Sequence, residues 1–113
     1  MAQVDNDIAT RVMGWRLQGN RWLDANDQDT GFRTTTWKPS EDVVSARAAL
    51  KKWLFPNRTA RLEEQAGIAA RVFLFEENLQ GISDEGTPIN VGLEVKRAAG
   101  VALPEVICAV LLS

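Results

Sequence analysis

The sequence predicts an α+β domain: an antiparallel sheet of about four strands from two hairpins, with helices packed on it, in the order α-β-β-α-β-β-α. Three features predict it. Two β-branched or aromatic runs flank a polar turn before residue 38; a capped segment of helical periodicity follows; two more strand-like runs then precede an apolar closing helix. Helices that separate hairpins belong with antiparallel sheets, because a hairpin needs only a short turn whereas parallel strands need a long crossover. The length of 113 residues suits a single domain spanning 1–113, and 45% apolar residues supply a core.

Residues 5–14 predict a short helix, with Ile8, Val12 and Trp15 on one face, Asp5 or Asp7 as its cap and Gly14 as its stop. Residues 21–24 and 32–37 predict strands, and the turn formers of 25–31 between them predict a hairpin with a polar tip. The clearest helix follows. Ser40 is its expected N-cap, Glu41 and Asp42 suit the dipole, Val43, Ala46, Leu50, Trp53 and Leu54 recur at helical spacing, and Pro56 closes it. Residues 57–70 read equally as one or two helical turns ended by Gly67 or as a flexible excursion. Residues 71–76 predict a strand, and 78–88 a loop rich in Gly, Pro and acids. Ile89, Val91, Leu93 and Val95 alternate with polar or small residues and predict a strand with one buried face. Ala98-Ala99-Gly100 breaks that strand. Pro104 then opens a helix over 104–112 that is apolar nearly all round, as a buried or partner-docked helix would be.

Composition excludes the commonest chemistries. There is no His and only one Cys, so neither a His-based catalytic triad nor a His/Cys zinc site can be built within one chain, and no intrachain disulfide can form. The net charge of −2 argues against general nucleic-acid binding. Two Asp precede the first Arg and no apolar run is long enough for a signal peptide or a membrane span. With no paired cysteines, the expected location is the cytoplasm.

Ile8-Ala9-Thr10-Arg11-Val12-Met13-Gly14-Trp15; Trp37-Lys38-Pro39-Ser40-Glu41-Asp42 with the helix through Ala46, Ala49, Leu50 and Trp53; and Leu103-Pro104-Glu105-Val106-Ile107-Cys108-Ala109 together resemble the phage ABA-sandwich domain family, the last segment being similar to its closing Pro-Glu-Ala-Ile-Cys helix. They occur in the family's order and span nearly the whole chain. The resemblance implies a small phage or prophage protein with an α/β/α layered domain. It implies no catalytic residue, ligand or cofactor, so no site is carried over. The chain departs from the pattern in the insertion-like segment 57–70, in lacking Tyr and in a last helix that stops early.

Few residues offer chemistry. Asp24, Asp27 and Asp29 crowd one turn, and oxygen-rich loops suit divalent cations, but the spacing lacks the Gly and distal Glu of an EF-hand, so a solvated hairpin tip is expected and no metal site. Glu76-Glu77 and Asp84-Glu85 could pair for acid–base work, but neighbours on a strand point to opposite faces. Cys108 lies a turn into an apolar helix and reads as structural. Trp15 and Trp53 read as core. Arg16, Arg21, Trp22, Arg33 and Trp37 form the candidate ligand or partner surface, since arginines beside aromatic rings bind phosphates, stack bases and recur in protein interfaces.

The leading expectation is a non-enzymatic phage or prophage accessory protein that binds a host protein, including components of host defence, or a second copy of itself; the apolar last helix offers one face for that but reads first as packed on the sheet. The alternative is a nucleotide or other small-ligand binder, and the third reading is a carboxylate- or metal-dependent enzyme.

Overall fold

The computed structural model describes residues 2–55, 58–65, 67–82 and 88–113. Helix α1 (Ala2–Asp7) runs into a π-helical turn (Ile8–Val12). Three short strands follow, β1 (Arg16–Gln18), β2 (Arg21–Leu23) and β3 (Asp29–Arg33), then helix α2 (Val43–Leu54). Strands β4 (Arg58–Gln65), β5 (Ala69–Ile82) and β6 (Pro88–Gly100) precede helix α3 (Leu103–Leu112). The class is α+β, as expected. The expected single sheet of about four strands is instead two antiparallel sheets of three, ordered β1-β2-β3 and β4-β5-β6.

The first helix is cut short by its own geometry. The Met13 N–H donates to the Ile8 carbonyl, five residues back, and the Trp15 N–H to Ala9. This wide turn swings Trp15 out of the helix and against Phe32 and Trp37. Gly14, at φ 72°, then redirects the chain into β1. The β1–β2 hairpin closes on Gly19-Asn20, with Gly19 at φ 63° in the first turn position, where glycine meets the twist of the strands without strain. The expected strand over 32–37 stops early, at Arg33. There the Thr36 hydroxyl accepts the Arg33 N–H, and the Thr36 and Trp37 N–H groups donate to the Arg33 carbonyl. A threonine side chain thus offers the backbone a turn instead of a ladder.

Asp42, not Ser40, caps α2. Its carboxylate accepts the Val44 N–H at 3.1 Å and the Ser45 hydroxyl at 3.0 Å. Ser40 is drawn into the interior, where its N–H donates to the Asp5 carboxylate at 2.9 Å. Phe55 ends the helix in an extended conformation (φ −75°, ψ 135°), the state that Pro56 imposes on the residue before it.

Residues 58–65 form a strand, because all eight pair with β5, from Arg58 opposite Glu76 to Gln65 opposite Ala69. Gly67, at φ 75°, turns the chain between them. The expected loop over 78–88 is largely ladder. Strands β5 and β6 pair from Ala70–Gly100 to Ile82–Pro88, and residues 83–87 lie outside the described residues. Ala98-Ala99-Gly100 does not break β6 but completes its pairing. The register steps between Leu74–Lys96 and Phe75–Glu94, which leaves Val95 as an extra residue. That bulge interrupts the period-2 pattern expected through Val95, which is exposed.

One face of the second sheet builds the core. Ala70, Val72 and Leu74 of β5 join Ala46, Ala49 and Leu50 of α2, Leu103, Val106, Ile107, Val110 and Leu111 of α3, and Ile8 and Ala9. Gly100 lets α3 approach closely, since a Cβ there would stand 2.9 Å from Val106 Cγ2. No basic residue lies in the last turn of α3. Arg11 and Lys96 come from elsewhere to donate to the carbonyls of Leu112 and Ser113. Among the described residues no helix is long and apolar enough to cross a membrane.

Candidate functional site

The five residues singled out by sequence do not make one surface. Trp22 and Trp37 are each 1% exposed, so neither ring presents a face to solvent. Trp37 meets Trp15 and Phe32 at centroid distances of 4.6 and 4.9 Å, and its Nε1–H donates to the Asp5 carbonyl at 3.1 Å. Arg16 and Arg21 are exposed on the first sheet and Arg33 is half-buried there, but each faces an aspartate. Arg16 pairs with Asp27 at 2.7 Å, while Arg21 (3.9 Å) and Arg33 (3.0 Å) share Asp29. Only Arg21 and Arg33 are brought together, through that shared carboxylate.

The hairpin-tip carboxylates are engaged in holding the turn. Asp24 accepts the N–H groups of Asn26 (2.8 Å) and Gln28 (3.0 Å), which lets Asp27 take a positive φ of 60°. The Gly31 N–H and then Arg33 hold the Asp29 carboxyl below its ordinary value. Among the described residues no three acidic or Cys side chains gather as a ligand set. Glu76 pairs with Arg58 at 3.4 Å; the Glu77 side chain and Asp84-Glu85 lie outside what is described.

Cys108 is buried in α3. Burial, and then the nearby charge of Asp5, push its thiol up to about 12, so it stays neutral and non-nucleophilic near pH 7. Native protein at pH 8 should therefore resist iodoacetamide, and labelling should appear only along the urea unfolding curve. Fast labelling without denaturant would show that α3 opens independently.

Asp42 supplies a pH-dependent element. The Ser45 hydroxyl and the Val44 N–H favour its ionised form and lower its carboxyl from the ordinary 3.8. A carboxyl depressed by folding stabilises the fold above its unfolded value, and that stabilisation is lost as pH falls through the folded value. Asp42→Asn keeps a good cap without the charge. Its urea midpoint should therefore fall less steeply below about pH 4 than that of the parent. Parallel curves would remove Asp42 from the acid response.

The surface that sequence reading missed is the outward side of α2. Ala46, Ala49 and Leu50 face the core. The opposite side presents Val44 and Phe55, 72% and 78% exposed, with Arg47 and Lys51 along the helix between them and Lys52 and the half-exposed Val43 beside them. Among the described residues none of these three cations has an ion-pair partner, in contrast to Arg16, Arg21, Arg33, Arg58 and Arg97. The signal was present in the sequence: positions 44, 47, 51 and 55 fall on one helical stripe, opposite 46, 49, 50 and 53. Counting Val43 as inward obscured it.

The uncovered face of the second sheet is different in kind. Phe73 lies there, 8% exposed only because Arg61 and Arg97 lie over its ring at 4.5 and 5.5 Å. Arg97 is in turn held by Glu94. A groove of about 250 Å³ also opens between Val4, Ala99 and the Val106–Ala109 side of α3.

No protein-family model, curated protein or solved structure matches the chain.

Proposed function

We propose that the chain is a non-catalytic binding protein, of the phage or prophage accessory kind that its sequence resembles, acting in the host cytoplasm by occupying a host protein. The observation that carries this reading is the α2 stripe: two apolar side chains held in water on either side of two cations that have no ion-pair partner among the described residues. Scattered single apolar residues on a surface are ordinary. Apolar anchors in the first turn and at the C-cap of one helix, with charges between them, are the arrangement of a helix-face interface, where the anchors supply affinity and the charges register. The α/β/α layering that the resemblance implies belongs to the same proposal.

The test is capture from host lysate by the parent chain and by Val44→Asp/Phe55→Asp, with circular dichroism confirming that both are folded. A protein retained by the parent and lost by the double variant supports the reading. A captured protein that ignores the substitutions removes α2 from it. A melting-temperature screen against nucleotides separates the small-ligand alternative. No shift is expected, because Trp22 and Trp37 are enclosed.

A further inference from the structure

Resting on that reading, we propose that the α2 surface takes an acidic, amphipathic helix of the partner, with two apolar anchors about 16 Å apart and carboxylates between them. The spacing comes from the chain itself. Val44 lies in the first turn of α2 and Phe55 is its C-cap, so ten rises within the helix and the step to its cap, about 1.5 Å each, separate them. A partner helix laid along α2 meets both with apolar residues eleven positions apart, on one face of its own three turns.

The charge comes from what the fold leaves unmatched. The chain as a whole carries −2, yet the outward side of α2 carries Arg47, Lys51 and Lys52 and no acid within Val43–Leu54. Arg47 and Lys51 are four residues apart, one turn along the helix, so carboxylates one turn apart on the partner meet both. Each cation keeps its hydration in the free protein and exchanges it for a charge-assisted hydrogen bond on docking. Complementary charge also steers the encounter, which makes the association rate sensitive to salt. The apolar ends decide between two kinds of anion. A polyphosphate backbone satisfies the cations but has nothing to cover Val44 and Phe55, whereas an amphipathic helix satisfies both.

The probe is a labelled Ala-based helical peptide with Leu at positions eleven apart and Glu one turn apart between them, read by fluorescence anisotropy. A second peptide has those Glu changed to Lys. The parent chain should bind the acidic peptide at least tenfold more tightly than the basic one, and less tightly as salt rises. Val44→Asp/Phe55→Asp should lose it. Arg47→Glu/Lys51→Glu should reverse the preference, a gain that misfolding cannot produce. Four outcomes overturn the inference: no preference between the peptides, no reversal by the charge-swapped chain, an oligonucleotide bound as tightly with the same residue dependence, or self-association abolished by the apolar double variant. If the peptides show no preference while lysate capture still needs Val44 and Phe55, the acidic-helix inference falls and the α2 surface stands. If capture also ignores those residues, both fall.

Discussion

Replacing Trp37 with alanine is expected to destabilise the protein by about 3–5 kcal/mol, the range for removing a large buried aromatic. The side chain is 1% exposed and does three things at once. It packs against both Trp15 and Phe32, which also stack on each other at 5.6 Å, it meets Phe32 edge-on with planes at 70°, and its Nε1–H reaches the backbone of α1 at Asp5. It therefore ties the first sheet to the first helix. With total stabilities of single domains at about 5–15 kcal/mol, the loss is a large share of what is available. Urea unfolding followed by circular dichroism measures it. Trp37→Phe separates the contributions, since it keeps an aromatic ring and removes the donor. It should cost clearly less than the alanine variant. Equal losses would place the whole effect in the hydrogen bond, and a loss under about 1 kcal/mol for Trp37→Ala would contradict the packing described.

The second large effect concerns the two sides of β5. Leu74 is fully buried against the helices, whereas Phe73 faces the other way, beneath Arg61 and Arg97. Leu74→Ala should cost about 2–5 kcal/mol, because it leaves a cavity that a close-packed sheet and helix cannot collapse. Phe73→Ala removes a larger side chain but should cost less, because the ring is covered only by Arg61 and Arg97, exposed side chains free to settle into the space it leaves. The order decides the matter. If Phe73→Ala proved the costlier of the two, the second sheet would be packed on both faces.

Where the chemistry is local, residues and structure agree. The position of α2 followed from its periodicity and from Pro56, although its cap shifted by two residues once Asp5 had claimed the Ser40 N–H. Pro104 opens α3 within its first turn, and Cys108 is buried in it. The polar tip between β2 and β3 is where the turn formers put it but shorter than expected, since Asp29, Thr30 and Gly31 are already in β3. The candidate site was less legible. Arg16, Arg21 and Arg33 are on the surface, but their aspartate partners and the enclosure of Trp22 and Trp37 depend on how the first sheet folds against α1.

Short-range chemistry specifies the α+β class, the two longer helices, the stop at Gly14 and the burial of Cys108, because caps, prolines and helical periodicity act within a few residues; Gly67, expected to end a helix, instead turns a hairpin. Long-range contacts decide that residues 58–65 are a strand, that β5 and β6 continue through their polar stretches, and that the six strands among the described residues divide into two sheets. Arg, Leu, Glu and Gln in β4 have no strong preference for the extended state; the ladder with β5 imposes it, because strand preference is set largely by the neighbour a strand meets. The same reason explains the surface. A helix records its apolar positions in its sequence, but which of them remain in water, Val44 and Phe55 here, is set by what packs against it.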